Sequence, residues 1–373
     1  MTRRTRHPPS DPRDLFAGGS EMAAVMRAVD WASTPLGPIE GWSQALRTMV
    51  GLLLRNRFGM LLWWGPKFVQ LYNDAYRPVL GDKHPRAMGQ PTAECWSEIW
   101  HVIGPMIEAP YRGEPATWSD DLALLINRRG FLEETHFVVA YSPVPDDTVE
   151  GTGIGGVLAT VSETTEQVYG ERQLRTLREL GARAAEAKTA VQACQLAGAV
   201  FDKNQSDLPF ALLYLLDDAG HTARLACSVG FKDGDTKLAP AELDLGADPS
   251  ALAWPIRSAL DGAAPMVLES IVERLGPLPQ GRWSESPRRA IALPLASPDQ
   301  AQAYGVLICG VSPHRSLDTG YRTFFELAAA QVVTAIRNAR ATRPNASAPR
   351  RWRSSIAPRR RSSPTSATSS ARR

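Results

Sequence analysis

The chain has 373 residues, room for two domains at roughly 100 to 200 residues each, and a formal net charge of +3 from 42 Lys and Arg against 39 Asp and Glu. That charge resides in the last 33 residues, 341–373, which hold nine Arg and no acid; without them 33 basic residues face 39 acidic ones, a balance of −6 that argues against nucleic acid as a partner. The longest apolar run, Val50–Trp64, is cut by Arg55 and Arg57 and falls short of the ~20 residues that cross a bilayer, and the N-terminus lacks the apolar stretch of a signal peptide, so we expect a cytoplasmic protein with no membrane segment.

Residues 1–19 are polar and Pro-containing, and disorder is expected there. From Glu21 to Trp31, Met22, Val25, Met26 and Val29 recur at helical spacing, and Thr34-Pro35-Leu36-Gly37-Pro38 ends the run. A second helix is predicted over Gly41–Arg55, with Leu46, Met49, Val50, Leu53 and Leu54 as its apolar stripe. Met60–Trp64 and Phe68–Tyr72 then read as strands joined at Gly65-Pro66-Lys67. A helical turn follows at Asn73-Asp74-Ala75-Tyr76, and a helix over Ala93–Ala109. Phe131–Tyr141 and Gly155–Glu163 read as antiparallel strands around a turn at Pro143–Gly153.

Leu62-Trp63-Trp64, Leu71-Tyr72-Asn73-Asp74-Ala75-Tyr76, Gly81, Gly155-Gly156-Val157-Leu158 and Glu163-Thr164-Thr165 together resemble a PAS sensory domain over residues 20–165. With Asp30-Trp31 and Thr34-Pro35-Leu36-Gly37-Pro38 they look like the PAS module that heads soluble PAS-GAF histidine kinases of bacteria. The resemblance implies a pocket between sheet and crossing helices, apolar with a few polar anchors. Trp63, Tyr72, Asn73, Tyr76, Trp100, His101 and His136 are its candidate lining residues, and each also suits a plain core.

From Glu163 to Ala199 the pattern is helical, with Val168, Leu174, Leu177, Gly181 and Ala184 as a narrow seam suited to pairing with a second copy. We read 166–180 as a signalling helix that merges into the next domain. Phe210–Leu216, Thr222–Ser228, Ala290–Pro294 and Tyr304–Gly310 read as strands, and Tyr321–Ala339 as a helix. Strands enclosed by two helices, with Ala211-Leu212-Leu213-Tyr214-Leu215-Leu216-Asp217-Asp218, resemble a GAF domain over 175–340. The fold class expected is α+β, two antiparallel-sheet sensory domains joined by a helical linker, with a disordered tail.

Cofactor motifs are missing. Cys95, Cys194, Cys227 and Cys309 show no Cys-x-x-Cys spacing. None of Cys194, Cys227 and Cys309 precedes His, which argues against covalent bilin, and Asp202-Lys203-Asn204 does not match the cyclic-nucleotide motif of GAF domains. Gly151–Gly156 leads into strand-like residues rather than a helix, so a hairpin turn is favoured over a phosphate loop. Ser142 lacks a nucleophile elbow, and the pairs Asp120-Asp121 and Asp146-Asp147 read as charged surface in turns.

The tail over 341–373 fits a displaced reading frame. Shifted by one nucleotide, Ser347–Ala371 permits a string ending Phe-Phe-Ser-Asn-Val-Ser-His-Glu-Phe-Arg, which resembles the phosphoacceptor box of sensor histidine kinases. None of the six histidines of this chain precedes an acidic residue. The expectation is therefore a homodimeric input module, sensing a small molecule or partner. It would act upstream of a kinase and response regulator, without catalytic activity of its own. A stand-alone adaptor for a separate kinase and a ligand-processing enzyme are the other two readings.

Overall fold

A computed structural model describes residues 15–16, 19–232, 235–248, 252–297 and 303–341. The proposed frame-shifted segment therefore lies outside the described residues, as does most of the expected N-terminal disorder. Phe16 departs from that expectation: it is 1 % exposed, packed on Trp31 and Trp42 at ring separations of 6.3 and 6.0 Å.

Helix α1 (Glu21–Ala28) starts where the Ser20 hydroxyl accepts from the Ala23 amide at 3.1 Å. It ends earlier than predicted, because Trp31 turns back to donate from its indole to the Met26 carbonyl at 2.8 Å. Helix α2 (Gln44–Leu53) is capped in the same way by Ser43. Strands β1 (Gly59–Trp64) and β2 (Val69–Tyr72) form the predicted hairpin. Two short helices, α3 (Arg77–Leu80) and α4 (Thr92–Cys95), lead to α5 (Trp100–Tyr111). The single helix expected over Ala93–Ala109 is thus broken, at 96–99.

Strand β3 (Thr117–Asn127), which the sequence reading missed, pairs with β4 (Leu132–Pro145), and β4 pairs with β5 (Ile154–Glu163). The first sheet is antiparallel with strand order β2-β1-β5-β4-β3. One apolar cluster, from Met22 and Trp31 through Trp63, Trp96 and Ile107 to Phe137 and Tyr141, holds this half together. At Gly81 a side chain is impossible without rearrangement: φ is +53° and a Cβ would lie 2.1 Å from the Arg128 carbonyl oxygen. That close approach pins the β3–β4 turn onto α3.

The continuous helix expected over Glu163–Ala199 divides into α6 (Thr165–Arg183) and α7 (Ala190–Phe201), which restarts at the Thr189 cap. Strands β6 (Ala211–Leu216) and β7 (Thr222–Val229) follow as predicted, then β8 (Glu242–Asp244). Next come α8 (Ile256–Gly262), β9 (Met266–Leu268) and α9 (Ile271–Leu275). The predicted pair β10 (Ala290–Leu295) and β11 (Gly305–Gly310) completes a second antiparallel sheet of order β8-β7-β6-β11-β10-β9. Helix α10 (Thr319–Ala341) packs with α6 and α7 on one face of it. The other face buries Phe210, Tyr214 and Trp254 beneath α8 and α9. The chain is α+β with two separate antiparallel sheets.

Candidate functional site

Two places bring buried polar groups together with a cavity or with one another. The first is a small cavity between the first sheet and its crossing helices. Its volume is about 30 Å³, and its walls include Trp63, Tyr76, Trp96, Ile103, Phe137 and Tyr141. That is the share of one water in the liquid. Trp63 meets Tyr141 edge to face at 5.0 Å, and its indole Nε1 is buried without a hydrogen-bond partner. Directly across the hairpin stands Gln70, fully buried, with neither amide atom paired. Burial pushes the phenols of Tyr76 and Tyr141 up from their ordinary range, so both hydroxyls remain protonated.

Of the seven residues expected to line a pocket, Trp63 and Tyr76 do so. The Tyr72 hydroxyl instead pairs with His84 Nδ1 at 2.9 Å. Asn73 is fully buried and uses its entire hydrogen-bonding capacity. Its Oδ1 accepts from the amides of Met60 (3.0 Å) and Tyr76 (3.1 Å), and its Nδ2 donates to the carbonyls of Asn56 (3.2 Å) and Phe58 (2.8 Å). Trp100 packs half-buried beside Phe68, and His101 is exposed. His136 stands in the second place, the junction between the two halves.

That junction is built from charge. The Glu134 amide donates to the His314 carbonyl at 2.8 Å, and His314 Nδ1 donates to the Leu132 carbonyl at 2.8 Å, a reciprocal pair that stitches β4 to the 312–315 loop. Arg172, about two turns into α6, forks twice. Its Nη1 and Nη2 donate to the Glu134 carboxylate at 2.8 and 3.1 Å, and its Nε and Nη2 to Asp207 at 2.9 and 2.7 Å. Asp207 is fully buried and the Glu134 side chain is 5 % exposed. Arg315 lies between the rings of Tyr169 and Tyr321, 4.0 and 4.2 Å from their centroids. The Tyr321 hydroxyl donates to the Asp207 carbonyl, and the Tyr169 hydroxyl to the Glu134 carbonyl at 2.7 Å.

His136 extends this network to the sheet edge. Its Nδ1 is 2.7 Å from Asp121 Oδ1 and its Nε2 is 3.2 Å from Glu134 Oε1. Both partners are acceptors, so both ring nitrogens must carry protons, and the pair of carboxylates favours the imidazolium. The bond to Glu134 raises the His136 pKa, burial opposes it, and Asp121 adds to the rise. Burial works against ionised Glu134, but the bonds from His136 and Arg172 hold its pKa down to about 2. A second buried fork lies beside this one: Arg128 donates to Glu133 at 2.9 Å and to both oxygens of Glu163 at 2.8 Å.

The sequence reading missed Arg128, Glu134, Arg172, Asp207 and Arg315. A signal was present in Glu133-Glu134-Thr135-His136, four consecutive polar residues inside an apolar strand and all buried. Of the acidic pairs expected at the surface, Asp120, Asp121 and Asp147 are exposed and Asp146 alone is buried. A bulge between Ser119 and Leu122 places Asp121 within β3 beside His136. Asp146 is 3 % exposed and accepts from the Ser43 hydroxyl at 2.6 Å.

Among the described residues no cluster of three or more His, Cys, Asp or Glu is arranged to hold a metal ion, and no helix is long and apolar enough to cross a membrane. No family model matches the chain, and no curated protein matches it. Solved structures do. The GAF domain of a phosphoenolpyruvate-protein phosphotransferase from Acinetobacter matches at 16 % identity, 45 % of this chain, 95 % of that one and a TM-score of 0.33. The corresponding GAF domain from Coxiella burnetii matches at 17 %, 46 %, 96 % and 0.34. A protein from Burkholderia vietnamiensis described as a GAF sensor matches at 18 %, 46 %, 98 % and 0.33.

Proposed function

We propose that this chain is the sensory input region of a two-component histidine kinase. In this reading a PAS-like unit over 20–165 and a GAF-like unit over 175–340 work in the cytoplasm as a homodimer. The observation that carries it is the junction: α6 leaves the first sheet at Thr165, is ion-paired through Arg172 to both halves, and packs on α10. A change in the first half therefore reaches α10 through charge-paired contacts. The signal is a small molecule or partner that binds two arrangements of these helices unequally and shifts their populations. Trp63, whose indole Nε1 has no partner, lines the first cavity, which at about 30 Å³ would have to widen to take a small uncharged ligand.

Pairing with a second copy would use α6 and α10, whose Leu174 and Leu327 are 53 % and 49 % exposed. Light scattering on the purified chain should give a dimer mass that falls to the monomer in L174E/L327E; a monomeric wild type contradicts the dimer. Incubated with labelled ATP, the chain should incorporate no phosphate, and incorporation would overturn the assignment. Stable co-purification with a separate intact kinase would favour the adaptor reading instead.

A further inference from the structure

Beside the junction the two halves face each other across an open cleft. The β3–β4 turn, Asn127–Leu132, forms one wall, and the segments Glu285–Arg289 and Val311–His314 form the other, around a volume of about 470 Å³. The cleft continues into a groove of about 660 Å³ that shares Asn127, Gly130 and Leu132.

The polar groups here contrast with the paired ones at the junction. Among the described residues, Arg288 and Arg289 carry no carboxylate partner. Their main chain is nonetheless fixed: the Arg288 carbonyl accepts from Ile271 at 3.1 Å and the Arg289 carbonyl from Val311 at 2.9 Å. Glu285 is the one acid among the residues that line the cleft, so its fixed charges sum to +1. His314 also lines it, is 1 % exposed, and has an Nε2 with no hydrogen-bond partner. Phe131, half-buried, and Leu132 supply an apolar side.

We propose that this cleft binds a small organic oxyanion, a carboxylate or phosphate carried on an apolar body, and that the bound ligand ties the two halves together. Two arginines line the cleft; a guanidinium matches the paired oxygens of such a head group, and a concave wall concentrates the positive field. Phe131 and Leu132 cover the apolar body. Because both halves line the cleft, the ligand binds their docked arrangement better than a separated one and stabilises it by linkage.

Calorimetric titration of the full chain with phenyl phosphate and with benzoate, each against sodium chloride of equal ionic strength, tests this. Saturable one-to-one binding of either is expected, and which of the two binds tells phosphate from carboxylate. R288A/R289A should weaken it tenfold or more, whereas Arg282→Ala, an exposed arginine outside the cleft, should not. Binding should also slow amide exchange at Gly130–Leu132. R288Q/R289Q replaces the alanine pair if that pair fails to fold. No saturable binding of either anion, or unchanged binding by the double variant, overturns the proposal. The titration needs no kinase, so its failure would leave the assignment as a sensory input region untouched.

Discussion

Replacing Arg172 with Met keeps an unbranched apolar stem and removes the charge that joins the two halves. Four hydrogen bonds of 2.7 to 3.1 Å are lost, and two carboxylates, one fully buried and one 5 % exposed, lose their main partner. Breaking a buried pair in this way costs about 3–5 kcal/mol. Each acid retains some compensation here. Glu134 keeps His136, and Asp207 keeps the Asn204 amide at 3.0 Å and Arg315 at 3.6 Å. The loss should therefore fall near the lower end, about 3 kcal/mol. A urea titration followed by tryptophan fluorescence measures it as a fall of about 1–3 M in midpoint, for a slope of about 1–3 kcal/mol per M. E134Q/R172M/D207N, which removes the stranded charges, should recover about half of the loss. A loss below about 1 kcal/mol, the size of an exposed pair, would refute the view that this network holds the junction.

The remaining predictions concern single groups. Asn73→Ala strands two amides and two carbonyls, and at about 1 kcal/mol per lost bond should cost about 4 kcal/mol in a thermal or urea melt; a change under about 1 kcal/mol would show that water replaces the amide. His136 has a raised pKa in the fold, so its contribution is full below the unfolded value of about 6.5 and is lost as pH rises through the folded one. Wild-type stability should thus decline as pH rises above about 6.5 while His136→Gln stays flatter; parallel profiles would contradict this. Glu134 acts at the other end: with its pKa lowered to about 2, its contribution is present above about pH 4.5 and disappears as pH falls toward 2. Gly305→Ala puts a Cβ 1.9 Å from the Tyr214 carbonyl oxygen, between the central strands β11 and β6. It should cost more than about 4 kcal/mol, and a melting temperature near that of wild type would contradict the packing.

The elements readable from sequence were those whose pattern is local. The β1–β2 hairpin, β4 and β5, the strands β6, β7, β10 and β11, and α10 all show the alternation or helical spacing that burial on one side imposes. Strand β3 escaped because Trp118, Asp120 and Asp121 lie on an exposed, bulged edge, where burial imposes no period. The break between α6 and α7 escaped because the apolar seam continues through it in phase, while the restart depends on the cap at Thr189. The junction was the least legible part. Arg172, Asp207 and Arg315 are far apart in sequence and each is of a residue type normally found on the surface; only their meeting in space gives them a role. Asn73 was recognisable as special, but its reason is the four main-chain groups it binds, and those come from residues on both sides of β1.

Hydrogen exchange in wild type and His136→Gln tests the coupling between the halves most directly. His136 belongs to the first sheet and reaches α10 through Glu134, Arg172, Asp207 and Tyr321. Faster exchange along α6 and in the first turns of α10, with β10 and β11 unchanged, is the predicted result. Changes confined to β3, β4 and β5 would mean that the junction transmits nothing, and would contradict the account.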